Sequence, residues 1–117
     1  MPDLLFIYGT LHPNRAPAEI AAAARRLTSI GSATIRGHLY DLGEYPGVVL
    51  DANGPLITGE LFRVPDDETL AALDAYEDFR PADPVGSLFL RRMASVVMQD
   101  SGAATSCWVY VYNRDPP

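Results

Sequence analysis

Thr34-Ile35-Arg36-Gly37-His38-Leu39-Tyr40-Asp41-Leu42, then Gly47-Val48-Val49-Leu50-Asp51, then Leu56-Ile57-Thr58-Gly59-Glu60-Leu61-Phe62-Arg63-Val64 follow one another with only short turn-forming stretches between them. Each run is rich in β-branched and aromatic residues and is bounded by Gly, Pro or Asn, so each predicts a strand. Asn53-Gly54 predicts a hairpin turn, which makes the three strands a meander. Consecutive strands with no helix among them argue against the strict alternation of a doubly wound fold.

Upstream, Leu4-Leu5-Phe6-Ile7-Tyr8 is a nearly continuous apolar run, the pattern of a strand covered on both faces, and Gly9 stops it. Residues 16–27 predict a helix: Pro17 suits its first turn, the Ala run favours it, Arg25 and Arg26 suit its last turn, and Gly31 ends it. Downstream, Pro65-Asp66-Asp67-Glu68 places acids at a helix N-terminus, and Leu70, Leu73 and Tyr76 recur at helical spacing up to about Asp78. Residues 80–86 carry Pro81 and Pro84 and predict an exposed loop. Strands are predicted over 88–98 and 106–113, joined by Asp100-Ser101-Gly102. The fold class expected is α+β, with a curved or barrel-like sheet and two helices.

A chain of 117 residues is expected to form one domain over 1–117. All nine basic residues are Arg, which excludes a Schiff-base lysine and a phosphate-loop lysine. The net charge of −6, with the Arg residues scattered, argues against nucleic acid or an anionic membrane as partner and favours small molecules. Cys107 is the only cysteine, so no internal disulfide forms. Asp3 stands where a signal peptide carries cations, and no apolar run approaches a membrane span, so a cytoplasmic location is expected.

His12 and His38 are separated and sit in no ligand-spacing motif, so no metal site is expected. No serine occupies a strained Gly-flanked elbow, and Cys107 reads as a small core residue inside a strand. Two local features remain. Tyr8-Gly9-Thr10-Leu11 is a strand end running into a glycine turn, whose backbone N–H groups can face an anion. Glu77 falls at i+7 from Leu70 and i+4 from Leu73, on the apolar stripe of the second helix, where burial and the helix dipole both raise a carboxyl pKa. The competing reading has Glu77 beyond the helix end, solvated or paired with Arg91 or Arg92. Asp74 is expected at the partly exposed edge of the same face.

Together with Gly37-His38-Leu39-Tyr40-Asp41-Leu42-Gly43-Glu44-Tyr45-Pro46-Gly47, Gly59-Glu60-Leu61-Phe62-Arg63-Val64, Leu73-Asp74-Ala75-Tyr76-Glu77 and Trp108-Val109-Tyr110-Val111-Tyr112, the Tyr8-Gly9-Thr10-Leu11 block resembles the γ-glutamylcyclotransferase-like, or AIG2-like, family over almost the whole chain. The resemblance implies a small mixed or antiparallel β-barrel with two flanking helices. It implies cyclisation of a γ-glutamyl amine or γ-glutamyl amino acid to 5-oxoproline without a cofactor, the attacking group being the substrate's own α-amine.

In that family pattern Glu77 is the general acid/base, and the amides of Gly9, Thr10 and Leu11 grip the substrate's α-carboxylate or an oxyanion, with Tyr8 setting the strand end. Tyr40, Pro46 and Gly47 are expected in the pocket wall, Phe89 and Arg91 beside it, and Tyr110 or Tyr112 closing the far side. The sequence departs from the pattern at Asp78, where a glycine commonly follows the glutamate. It also has Phe89-Leu90-Arg91 where Tyr-x-Arg is common, and His12-Pro13-Asn14 where basic-x-Gly is frequent. The alternative is a non-catalytic small-carboxylate binding or stress-associated module on the same fold.

Overall fold

The computed structural model describes residues 3–8, 16–43 and 45–115. The elements run β1 (Asp3–Ile7), α1 (Ala18–Ala24), β2 (Thr28–Asp41), β3 (Pro46–Leu50), β4 (Leu56–Val64), α2 (Asp67–Tyr76), β5 (Phe89–Met98) and β6 (Ala104–Tyr112). Strand order is β3-β2-β4-β1-β6-β5, and β5 pairs back onto β2. Strands β2, β4, β1, β6 and β5 therefore close into a barrel, with β3 as an added outer strand. The barrel is mixed, since β1 and β6 are parallel while the other pairs are antiparallel.

The apolar run at the start occupies the middle of this sheet, between β4 and β6, and alternation splits it between two cores. Phe6 points inward with Ala33, Ile35, Ile57, Leu61, Val96, Cys107 and Val109, filling the barrel. Leu5 and Ile7 point outward and pack with Ile20, Leu27, Phe62, Leu70 and Leu73 beneath the two helices. All three of Leu5, Phe6 and Ile7 are buried, each contributing about 1.5–3 kcal/mol through loss of apolar surface to water. Cys107 is a core residue as expected, its thiol pushed up to about 11 by burial. No helix among the described residues is long and apolar enough to cross a membrane.

Two expectations are corrected. Asn53-Gly54 does not join paired neighbours in a meander, because β2 is 14 residues long and serves both strands: β4 pairs with its first part from Thr28 to Arg36, and β3 with its last part from Gly37 to Asp41. The turn is real but crosses between the two partners of β2. Asp51 accepts from the amides of Asn53 and Gly54, and Gly37 N–H donates to the Pro55 carbonyl. The first helix stops at Ala24, capped by Arg25. Leu27 is buried and the β-branched residues behind it extend, so β2 starts at Thr28, and Gly31 lies inside it at a bulge with φ 145°.

Gly59 lies on the inner face of β4, where an added Cβ would stand 2.5 Å from the Phe6 ring and 2.6 Å from the Ile7 carbonyl oxygen. Gly59→Ala must displace the central strand or the largest buried side chain, and is expected to lower stability by about 1–3 kcal/mol in urea unfolding, as overpacking does.

Candidate active site

Helix α2 is specified at both ends. Asp66 is its N-cap and accepts from Thr69 N–H at 2.8 Å, while Asp67 and Glu68 complement the dipole in the first turn. At the other end Glu77 is the C-cap, its amide bonded to the Leu73 carbonyl at 3.0 Å. Asp78 N–H then donates to Ala75 and Phe79 N–H to Asp74, at 3.2 and 2.9 Å, the paired bonds of a Schellman ending. Such an ending requires a left-handed residue after the cap, and Asp78 has φ 55°. The departure from glycine at this position therefore leaves the helix end geometrically intact, with a side chain that tolerates this region better than most.

The Glu77 carboxyl is mostly withdrawn from water, and burial pushes its pKa up to about 7. Among the described residues no hydrogen bond or ion pair engages it, so the reading that paired it with Arg91 or Arg92 is not the one observed. Tyr8 and Tyr110 are in electrostatic reach of Glu77, and both phenols are held well above their ordinary range, first by burial. The Tyr8 hydroxyl donates to the Tyr110 carbonyl at 2.6 Å and accepts from Val48 N–H at 3.3 Å. Tyr8 at the end of β1 and Tyr110 near the end of β6 thus lie close to Glu77 at the end of α2.

Asp74 is not at an exposed edge; it is 5% exposed. Its Oδ1 accepts from Arg91 Nε at 2.9 Å and from the Tyr110 hydroxyl at 2.6 Å, and its Oδ2 accepts from Arg91 Nη2 at 3.2 Å. The Arg91 guanidinium lies 4.3 Å from the Trp108 ring centroid and 5.6 Å from that of Phe79. Trp108 Nε1–H in turn donates to Asp3 at 3.3 Å. Sequence reasoning missed this network. Its signal was present, since Asp74 falls at i+4 from Leu70 and next to Leu73, both buried, but the partners come from distant strands.

Gly9, Thr10, Leu11 and His12 lie outside the described residues. Gly47 is buried, and an added Cβ there would meet Leu42 at 2.7 Å and Tyr112 at 3.1 Å. Tyr40 and Pro46 stand on the β2–β3 ribbon and line a surface pocket of ≈ 330 Å³ with Leu39, Asp41, Gly43 and Tyr45. Tyr40 faces His38, which is bonded to Asp51 at 2.9 Å. Phe89 is buried between Tyr45 and Tyr112, with ring centroids 5.8 and 5.7 Å away. In that aromatic setting a hydroxyl is replaced by packing. The 80–86 loop is exposed as expected over Pro81 to Val85, and is tied down by Asn113 donating to the Pro84 and Ser87 carbonyls. Among the described residues no three His, Cys, Asp or Glu side chains are grouped to hold a metal.

The family model for gamma-glutamyl cyclotransferase, AIG2-like proteins matches residues 5–117. The chain belongs to that family. Among its relatives, the Gamma-L-glutamyl-butirosin B gamma-glutamyl cyclotransferase of Niallia circulans is 36% identical over 116 residues, 98% of this chain and 69% of that protein. The gamma-glutamylcyclotransferase family protein YtfP of Escherichia coli K12 is 33% identical over 94% of this chain and 82% of its own. A mouse AIG2-like crystal structure superposes with a TM-score of 0.77 at 24% identity, covering 98% of this chain and 80% of the mouse chain. An uncharacterised Pyrococcus horikoshii protein does so with a TM-score of 0.63 at 16% identity, covering 98% and 81%. The barrel with two helices is the fold expected of AIG2-like proteins.

Two outcomes are expected from the helix end. Asp78→Gly relieves the left-handed side-chain cost and loses only an exposed contact with Arg80, and should raise stability by about 0.5–1 kcal/mol in thermal or urea unfolding. Glu77 binds its proton more tightly in the folded chain, so stability falls as pH rises from the ordinary carboxyl value of 4.5 to about 7, and the loss is complete above that. Glu77→Gln lacks this penalty. Its Tm should match the wild type near pH 4.5 and exceed it by a margin that grows up to about pH 7 and then levels off.

Proposed function

We propose that this protein is a γ-glutamyl cyclotransferase that converts a γ-glutamyl amine or γ-glutamyl amino acid into 5-oxoproline and the free amine. The observation that carries the reading is Glu77: a withdrawn carboxyl with a pKa near neutrality, set beside the β1 strand end that runs into Gly9. The relationship to a cyclotransferase acting on γ-glutamyl butirosin supports the γ-glutamyl substrate class.

In the reaction, the carboxylate of Glu77 takes a proton from the substrate's α-ammonium group. The freed amine attacks the γ-carbonyl carbon, forming the lactam C–N bond through a tetrahedral intermediate. The bond to the leaving nitrogen then breaks as Glu77 returns the proton to it, and the second proton on the ring nitrogen passes to the released amine, which departs as its ammonium while Glu77 is regenerated as the carboxylate. A pKa near 7 suits both steps, since the group must be ionised to begin and protonated to finish. The amides of Gly9, Thr10 and Leu11 hold the α-carboxylate, or donate to the developing oxyanion, and folding the substrate onto itself supplies the proximity that a protein nucleophile otherwise provides. Neither metal nor cofactor enters this scheme.

Purified protein is expected to release 5-oxoproline from at least one member of a panel of γ-glutamyl amines, γ-glutamyl dipeptides and glutathione. Glu77→Gln should bind the same substrate with similar affinity and lose turnover by about 100-fold or more. With wild type, kcat/KM should rise with pH up to about 7 and then level, because the free enzyme must hold Glu77 ionised. Binding of glutamate-like ligands with no turnover anywhere in the panel moves the assignment to the small-carboxylate binding module.

A further inference from the structure

We propose that Tyr110 is a positioning residue that holds the Glu77 end of α2 and the Tyr8 end of β1 in one register. The inference rests on the reading of Glu77 as the acid/base. Tyr110 is buried, and its two polar groups point to different halves of the site. Its hydroxyl donates to Asp74 Oδ1 at 2.6 Å, in the last turn of α2 and three residues before Glu77. Its backbone carbonyl accepts from the Tyr8 hydroxyl at 2.6 Å, one residue before Gly9. A single residue near the end of β6 thereby bridges the helix that precedes the carboxyl and the strand end that precedes Gly9.

The bond to Asp74 falls on a part of α2 that cannot move independently of Glu77. The backbone carbonyl of Asp74 accepts Phe79 N–H in the helix ending that wraps around Glu77, and Leu88 N–H donates to the Asp78 carbonyl from the start of β5. Arg91 holds both oxygens of Asp74 from β5 and is stacked on Trp108 of β6. Arg91 therefore fixes Asp74 to the sheet, while among the described residues Tyr110 links that anchor to Tyr8. The Tyr110 hydroxyl spends its one proton on Asp74, so the contribution assigned to it is the placement of Tyr8 and Glu77.

Among the described residues, the titratable groups in electrostatic reach of Glu77 are Tyr8 from β1 and Tyr110 from β6; Asp74 and Asp78 lie on its own segment, and Arg91 is committed to Asp74. Tyr110→Phe removes one hydroxyl, keeps the ring in the core and leaves the Asp74–Arg91 pair in place. Its kcat should fall by about 10- to 100-fold with KM within a factor of about three, because misplacing a proton-transfer group slows chemistry more than binding. Loosening of α2 should also admit water to Glu77. Its titration midpoint, read from the side-chain carboxyl carbon by NMR, should then move down towards the ordinary carboxyl value, and the acid limb of kcat/KM should move with it.

The NMR midpoint does not depend on turnover. A lowered midpoint in Tyr110→Phe supports the positioning role even if no γ-glutamyl probe is turned over, a result that sinks the reaction and leaves the register intact. A Tyr110→Phe protein with reduced Tm but wild-type kcat and an unmoved Glu77 midpoint overturns the proposal, since a residue that only adds stability behaves that way. Should Tyr110→Phe not fold, Tyr8→Phe cuts the same tie from its other end, and the same kcat and midpoint decide.

Discussion

The buried ion pair between Asp74 and Arg91 is the constraint on which the geometry of the site depends. A helix laid against a barrel through apolar contacts alone can slide and rotate by small amounts, because such contacts are not directional. Two hydrogen bonds from one guanidinium to one carboxylate remove that freedom, since the planar fork of arginine fits the carboxylate in one orientation. A buried pair of this kind carries a large desolvation cost and is weak evidence of added stability. Its value here lies in position: with Arg91 held against Trp108, the last turn of α2 has one place on the sheet.

The same turn carries two carboxyl groups three residues apart, and their surroundings separate their roles. Asp74 is met by a cation and a phenol and is fully occupied. Glu77 has no hydrogen-bond or ion-pair partner among the described residues, and burial favours its protonated form, which fits it to the proton transfer proposed for it. Under the proposed reaction, chemistry and stability pull in opposite directions at this residue. A carboxylate at a helix C-terminus, removed from water, is a poor choice for folding, and the strongly specified ending around it, from the Schellman bonds to the Leu88–Asp78 contact, offsets that cost nearby.

Most of the fold was legible because it is written in local pattern. The continuous apolar pattern of the β1 run is that of a strand covered on both faces, and the run lies at the centre of the sheet with consecutive residues sent to two different cores. The misreadings share one cause, which is that partners distant in sequence decide what a local signal means. Asn53-Gly54 is a turn in either case, but which strands it connects as neighbours depends on the length of β2 and on the different parts of it that β3 and β4 occupy. Gly31 looked like a helix stop, and it is a bulge because β4 pairs across it. Asp74 looked like an edge residue, and it is buried because β5 and β6 deliver Arg91 and Tyr110 to it.

The site itself was legible from two sources of unequal reach. Periodicity alone put Glu77 on the buried stripe and gave the direction of its pKa, which are statements about one helix. The resemblance supplied the idea that Tyr8 and Glu77 belong together, which no local pattern contains. What neither supplied is the means of bringing them together: a phenol on β6 whose side chain reaches one partner and whose backbone reaches the other. By periodicity Tyr110 is one aromatic in an alternating strand, and the resemblance implies only that it or Tyr112 closes the far side of the pocket. Its importance follows from barrel closure, because only the parallel pairing of β1 with β6 sets its carbonyl beside the end of β1 while β5 carries Arg91 to the adjacent position opposite it.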